Sequence, residues 1–265
     1  MGEALLDTEL LDLLDRRTEI DAVGALRHAL RREESTVPLA ETAVGFDANI
    51  VLRLGTERRN DAIIDYLRSL HPAPLILPGQ VVQEFWNNQH NAIKSMATNG
   101  REHFQKLKSE LDKFDNDFGG FSAEFDQLMT RFSEEYGYMF DPSTVSRTDT
   151  FLDVLKTRAL VPFVERSLYA EIARVRHTTK TPPGFEDAGD GDFYVWADLL
   201  RGLQIARDAG TEFSNVALIT QDKKKDWSRD GNSHPILAAE VMALTGKTFE
   251  TWTLDQLRAK VNASV

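Results

Sequence analysis

Residues 42–49 read Thr-Ala-Val-Gly-Phe-Asp-Ala-Asn, a short apolar run that ends at the acidic residue Asp47. A short apolar run bounded by polar residues is typical of a strand buried inside a sheet. Residues 216–220 form a similar run, and Asp222 follows it. Both acids therefore come just after a predicted buried strand. That is the end at which open α/β sheets bind their ligands.

Strand and helix patterns alternate along most of the chain. Short apolar segments predict further strands at 74–77 and 249–253. Amphipathic segments predict helices at 60–70, 81–96, 192–209 and 234–244, and a last helix after residue 253. Such alternation predicts an α/β fold in which helices cover both faces of a mainly parallel central sheet.

Two segments fall outside this alternation. Residues 1–41 are predicted to be an N-terminal helical extension of two helices, and the second carries an apolar stripe that begins with Val23, Leu26 and Leu30. The main domain is predicted over 42–265, with a large helical insertion at about 97–190. Between 104 and 132, Phe and Leu recur at three-four spacing. Gly119 and Gly120 are predicted to fold this seam into a hairpin that packs on the rest of the chain.

Composition limits the possible functions. The chain has 265 residues, a net charge of −11 and no cysteine, which excludes disulfides and thiolate metal sites and favours a reducing cytoplasm. The negative charge argues against a non-specific nucleic-acid coat protein. It is compatible with a carboxylate site whose bound cations reverse the local charge. The chain has no apolar run of membrane-spanning length, so no membrane span is predicted.

The residues that could carry chemistry are acids placed at strand ends and helix starts. The chain lacks a Gly-rich phosphate loop, an HExxH motif and a GxSxG motif. The candidate acids are Asp47, Glu84, Asp192 and Asp222. Carboxylates that converge repel one another, and hard cations such as Mg²⁺ or Mn²⁺ make the cluster tolerable. Each acid alone also fits an ordinary turn or helix cap, but the set together favours a metal site.

Five short motifs in a fixed order carry a family resemblance. They are Phe46-Asp47-Ala48-Asn49, Val82-Gln83-Glu84-Phe85, Pro182-Pro183-Gly184, Gly191-Asp192 followed by Trp196, and Thr220-Gln221-Asp222. In this order they resemble the PIN-like nucleases, specifically the bacterial subgroup with a long helical insertion. The resemblance spans roughly residues 42–260 and leaves the first forty unexplained.

This resemblance implies a three-layer PIN-like fold and an acidic pocket that holds one or two Mg²⁺ or Mn²⁺ ions. It also implies cleavage of phosphodiester bonds, usually in RNA. The four candidate acids would bind the metal directly or through water, and Asp226 is a fifth candidate ligand. Asn49 and Thr220 would orient carboxylates by hydrogen bonds. Asp190 competes with Asp192 for the third acidic position, and the Gly-before and Trp-after context favours Asp192.

Two local groups of basic residues are predicted to contact nucleic-acid phosphates. The first precedes the Pro-Pro-Gly segment, and the second follows Asp222. Their members are Arg174, Arg176 and Lys180, and Lys223, Lys224 and Lys225. The alternative is that these residues are ordinary solvated charges.

Two other functions stay open at this point. The first is a catalytically inactive PIN-like scaffold that binds a partner protein, or a second copy of the chain, through the N-terminal helices or the helical insertion. The second is a phosphatase of the haloacid-dehalogenase type, but that class needs an acid two residues after the first, where this chain has Asn49. For the nuclease, the resemblance suggests a toxin or phage-defence setting.

Overall fold

The computed structural model describes residues 2–31, 36–56, 58–118, 120–136, 143–222 and 224–264. The strands are β1 (Thr42–Phe46), β2 (Leu75–Ile76), β3 (Ala159–Leu160), β4 (Asn215–Ile219), β5 (Ser228–Arg229), β6 (Asn232–Ser233) and β7 (Thr248–Trp252). The helices are α1 (Gly2–Leu14), α2 (Ala22–Arg31), α3 (Ala48–Thr56), α4 (Asp61–Ser69), α5 (Gly79–Phe118), α6 (Phe121–Tyr136), α7 (Ser143–Arg158), α8 (Arg166–Thr178), α9 (Gly191–Asp208), α10 (Pro235–Thr245) and α11 (Leu254–Ser264). Among the described helices, none is long and apolar enough to cross a membrane.

Five strands form a parallel sheet in the order β3-β2-β1-β4-β7 within the described residues. The chain builds outward from β1 to β2 and β3 on one side, and later to β4 and β7 on the other. The order of connection therefore reverses between β1 and β4. In open α/β sheets such a reversal leaves a crevice for ligands at the carboxyl ends of the two strands. The predicted α/β fold with a mainly parallel central sheet is confirmed.

The central strands are buried on both faces, which explains their continuous apolar sequence. Every residue of β1 and of β4 is buried. On one side α9 packs against β2, α5 and α10, while α3 and α4 pack against α7 and α4 also contacts α11. These two groups of helices complete a three-layer α/β arrangement consistent with a PIN-like fold.

The helical region between β2 and β3 contains a hairpin. Gly120 separates α5 from α6 with a φ of 100°, a conformation that glycine adopts without strain. The ammonium of Lys108 lies 2.5 Å from Asp126, so the two helices run side by side in opposite directions. Gly119 lies outside the described residues. The stretch predicted as the insertion also contains β3, which pairs with β2 in the central sheet.

The N-terminal helices join the core unequally. On α1, the side chains of Leu10, Leu13 and Leu14 are buried and belong to the same apolar cluster as the sheet. On α2, the predicted apolar stripe faces outward instead, because Val23 is 70% and Leu30 is 75% exposed. Since α2 packs on α10, its contact with the domain does not use this stripe.

Candidate active site

The carboxylate of Asp47 is held in place at the junction of β1 and α3. Its Oδ1 accepts from the backbone N–H of Ala48 at 2.6 Å, and its Oδ2 accepts from Nδ2 of Asn49 at 2.6 Å. The hydroxyl of Thr220 also donates to Oδ2, at 2.6 Å. Because Thr220 follows β4, this last bond crosses the crevice between the two central strands.

Asn49 and Thr220 link Asp47 to the loop that carries Asp222. The side-chain oxygen of Asn49 accepts from the backbone N–H of Gln221 at 3.1 Å. Thr220 Oγ1 accepts from the backbone N–H of Asp222 at 2.9 Å. Asn49 and Thr220 therefore connect the Asp47 carboxylate to the backbone of the loop after β4.

Asp192 lies in the first turn of α9. Its Oδ2 accepts from the indole N–H of Trp227 at 2.9 Å and from the ammonium of Lys224 at 3.2 Å. Asp190 is exposed at the N-cap of the same helix. The fold thus places Asp192 toward the residues that follow β4, and it places Asp190 at the surface.

Glu84 lies against the N-terminus of α9. Its Oε1 accepts from Nε2 of Gln80, one turn earlier on α5, at 3.1 Å. A Cβ atom at Gly191 would come within 2.8 Å of the same oxygen. The glycine before Asp192 therefore provides the space for the Glu84 carboxylate, which also lies where a helix N-terminus favours negative charge.

A lysine and a further acid belong to the same cluster. The ammonium of Lys224 lies 2.5 Å from Oδ2 of Asp187, 3.0 Å from Oδ2 of Asp222 and 3.2 Å from Oδ2 of Asp192. Asp187, which follows the Pro-Pro-Gly segment closely, is not among the acids predicted from the sequence, and Lys224 was predicted to contact phosphate. The proximity of Asp187 to that segment was the available signal.

The loop that brings Asp187 into the site is held at two points. Gly184 has a φ of 95°, and its N–H donates to Oδ2 of Asp226 at 2.8 Å. Arg176 donates to the carbonyl of Pro182. Asp226, the fifth predicted ligand, is fully buried, and this bond to the loop backbone indicates that it supports the loop.

The phosphate contact predicted for Arg176 is wrong, because its side chain is buried. Its side chain is 3% exposed and lies 2.8 Å from Glu240, which is itself fully buried. Glu240 also pairs with Arg16 at 2.5 Å and accepts from the indole of Trp196 at 2.5 Å. An arginine in such a network has no surface to offer a nucleic acid.

The other basic candidates have different surroundings. Arg174 is exposed and pairs with Glu171 on the same helix. Lys225 pairs with Glu186 at 2.8 Å and remains 65% exposed. Lys180 is exposed at the start of the loop. Lys223 lies outside the described residues.

The protonation equilibria of the acids reflect their crowding and burial. Burial raises the pKa of Asp47, and the charge of Asp222 adds to this while the bonds from Thr220, Ala48 and Asn49 oppose it. Burial also raises the pKa of Glu84, with a contribution from Asp47.

Asp192 and Asp187 shift in opposite directions. Burial raises the pKa of Asp192 to about 7, and neighbouring Asp187 adds to this, against the opposing effects of Trp227 and Lys224. Burial alone would raise the pKa of Asp187, but the hydrogen bond from Lys224 holds it below its usual value. The pKa of Lys224 is raised; burial acts in the opposite direction, but the bonds to Asp187 and Asp222 outweigh it. The surroundings therefore favour the protonated form of Asp192 and the charged forms of Asp187 and Lys224.

With this geometry established, one comparison with known families supports a PIN-like domain in part of the chain. Residues 163–241 match the PIN-like domain. The matched region contains Asp187, Asp192, Asp222 and Lys224, whereas Asp47 and Glu84 precede it. No curated protein and no solved structure matches this chain. A PIN-like domain generally implies nuclease activity, and therefore hydrolysis of nucleic acid.

PIN-like domains usually use divalent metal ions, and the cluster offers side chains of the kind that such ions bind. The acids supply only carboxylate oxygens, the donor type that hard cations prefer. Three of them already surround one cation, the ammonium of Lys224. As arranged, the described residues contain no group of three or more His, Cys, Asp or Glu side chains that could hold an ion. The donor chemistry fits a divalent ion, and the side chains around Lys224 would have to rearrange to bind one.

Proposed function

We propose that this protein is a divalent-metal-dependent ribonuclease that cleaves phosphodiester bonds at the carboxylate cluster between β1 and β4. The observation that carries the proposal is that acids from five separate segments meet at the crevice of a PIN-like α/β fold. These acids are Asp47, Glu84, Asp187, Asp192 and Asp222. Repulsion among so many carboxylates is a cost to folding that a cation-binding role explains.

Asp47, Glu84, Asp192 and Asp222 would hold Mg²⁺ or Mn²⁺, with Asp187 as an additional ligand. When bound, one or two such ions supply charge stabilisation at the phosphate and activate a water for in-line attack. The chain's own contribution is orientation. Asn49 and Thr220 fix the Asp47 carboxylate, and Trp227 fixes Asp192. Since Asp192 holds a proton up to about pH 7, that proton must leave before the carboxylate can bind a cation.

Exposed basic side chains near the cluster would contact the phosphates of the nucleic acid. Lys180 and Lys225 are exposed on the loops that flank the cluster. Arg174 is exposed on the helix that leads to the first of these loops. Contacts from such residues position a nucleic-acid backbone without reading its sequence. A toxin or phage-defence setting, in a bacterial cytoplasm, is the biological role that we propose for this activity.

The phosphatase alternative loses support from the position of Asn49. In haloacid-dehalogenase-type chemistry this side chain would have to exchange a proton. Here both ends of the amide are engaged, one with Asp47 and the other with the backbone of Gln221. It therefore acts as a bridge between the two central loops.

The decisive experiment is cleavage of labelled single-stranded and hairpin RNA and of matched DNA, each with Mg²⁺, Mn²⁺ or EDTA. Asp47→Asn and Asp222→Asn are the site variants, and Asp65→Asn, an exposed acid on α4, is the matched control. We expect RNA cleavage that requires metal and is lost in the two site variants only. Cleavage that survives EDTA, or that survives both site substitutions, would overturn the mechanism. Cleavage of DNA alone would overturn the choice of substrate.

The inactive scaffold is tested by metal-dependent stability. Mn²⁺ should raise the melting temperature of the wild-type chain because a ligand that binds only the folded state stabilises it. The Asp47→Asn variant should lose that response. A chain that binds no Mn²⁺ and cleaves no nucleic acid would favour the scaffold.

A further inference from the structure

Lys224 occupies the centre of the acidic cluster. Its ammonium is in contact with three carboxylates from three segments: the loop before α9, the first turn of α9 and the loop after β4. The backbone N–H of Lys224 also donates to Oδ1 of Asp222, at 2.8 Å. The side chain therefore folds back over the acid that anchors its own backbone.

The Lys224 side chain is also partly exposed to solvent, so its ammonium can leave the cluster. The Lys224 side chain is 30% exposed, so its four-carbon stem can swing toward solvent without displacing the apolar core. Lysine has a flexible stem and a compact charge that adapts to new partners. Departure from the cluster requires no change in the strands or helices that position the acids.

We propose that Lys224 is the resident counter-cation of the cluster and that a divalent ion enters by displacing its ammonium. The inference rests on the proposed metal-dependent function. The ammonium and a divalent ion compete for the same carboxylate oxygens, and their mutual repulsion at such short range disfavours binding of both together. While the ammonium lies among the acids, the described side chains contain no group of three or more His, Cys, Asp or Glu residues that could hold an ion.

Displacement has a functional consequence. Metal binding must replace three charge-assisted contacts, so Lys224 lowers the apparent affinity of the site for Mg²⁺ or Mn²⁺. The released ammonium then faces the crevice in which a phosphate would bind. Lys224 thus keeps the acids neutralised without metal and becomes available to the substrate once metal is present.

Calorimetric titration with Mn²⁺ tests the first consequence. The variants are Lys224→Met and Lys224→Gln, and the matched control is Lys225→Met, which removes the next lysine and its exposed pair with Glu186. We expect both Lys224 variants to bind Mn²⁺ about tenfold or more tightly, as loss of a charge-assisted competitor predicts. Lys225→Met should bind as the wild type does.

A second measurement uses the unmodified chain, so it does not depend on whether the variants fold. The rate of reductive methylation of Lys224 is followed by mass spectrometry with and without Mn²⁺, with Lys225 as the internal control. We expect Mn²⁺ to speed modification of Lys224 several-fold, because the ammonium leaves its carboxylate partners. The rate at Lys225 should stay the same.

The outcomes separate this inference from the proposed function. Wild-type Mn²⁺ binding with equal or weaker binding by both Lys224 variants would overturn the displacement while leaving a metal-dependent nuclease intact. Unchanged or slower methylation of Lys224 in Mn²⁺ would overturn it as well. Failure of the wild type and of both Lys224 variants to bind Mn²⁺ or Mg²⁺ would overturn the proposed function itself.

Discussion

Glu240→Gln tests the buried ion pairs of Glu240, whose partner Arg176 holds the loop that leads to Asp187. Glu240 is fully buried and pairs with Arg176 at 2.8 Å and with Arg16 at 2.5 Å. Glutamine preserves the shape of the side chain and an oxygen that can still accept from the indole of Trp196. The substitution therefore removes the charge and little else. It leaves Arg176, which is 3% exposed, as a buried cation without a carboxylate partner.

The expected loss in the free energy of unfolding follows from the unpaired charge of Arg176. Breaking a buried ion pair by removal of one partner costs about 3–5 kcal/mol, because the remaining charge is not solvated. Arg176 keeps its bond to the carbonyl of Pro182, which favours the lower part of this range. For a chain of this size, about 3 kcal/mol corresponds to a melting temperature lower by roughly 6–12 °C.

Urea and thermal unfolding in EDTA, followed by circular dichroism, would measure this cost. The matched control is Glu171→Gln, which removes an exposed pair with Arg174 on the same helix as Arg176. Exposed pairs contribute little because water screens them, so the control should unfold as the wild type does. A cost below about 1 kcal/mol for Glu240→Gln, or equal effects of the two substitutions, would refute the role assigned to this buried network.

Three further predictions concern the site and the strand beneath it. Trp227→Phe removes a donor to Asp192 and should weaken Mn²⁺ binding about tenfold or more, as substitution of groups that orient metal ligands does; titration at pH 7 with an unchanged affinity would contradict this. Because Asp192 has a pKa of about 7 when folded against a usual value of 3.8, the stability that its protonated form provides is present below pH 4 and is lost as the pH rises to 7. Melting temperatures in EDTA should fall over that window and fall less for Asp192→Asn, and equal slopes for the two chains would contradict the assignment. Gly45→Ala places a Cβ within 2.6 Å of a Leu199 methyl, so we expect a loss of about 1–3 kcal/mol in chemical denaturation; a neutral result would show that the sheet and α9 separate easily.

Long-range contacts explain most differences between prediction and structure. The strand β3 has two residues, too few for any periodicity, and it exists because β2 offers it a partner. Arg176 lies between Arg174 and Lys180 in a basic stretch that looks like a surface. Its burial depends on Glu240, 64 residues away, which no local pattern indicates.

The sequence by itself determined the alternation of strands and helices, the parallel sheet, and the placement of Asp47 and Asp222 at strand ends. These features follow from apolar periodicity and from chain order, which are local properties. Only the tertiary structure decided that Lys224 lies among Asp187, Asp192 and Asp222. It also decided that Asp192 faces this cluster while Asp190 faces solvent. The direction of a side chain and the contacts between distant loops depend on how the whole chain packs. They cannot be predicted from a local stretch of sequence.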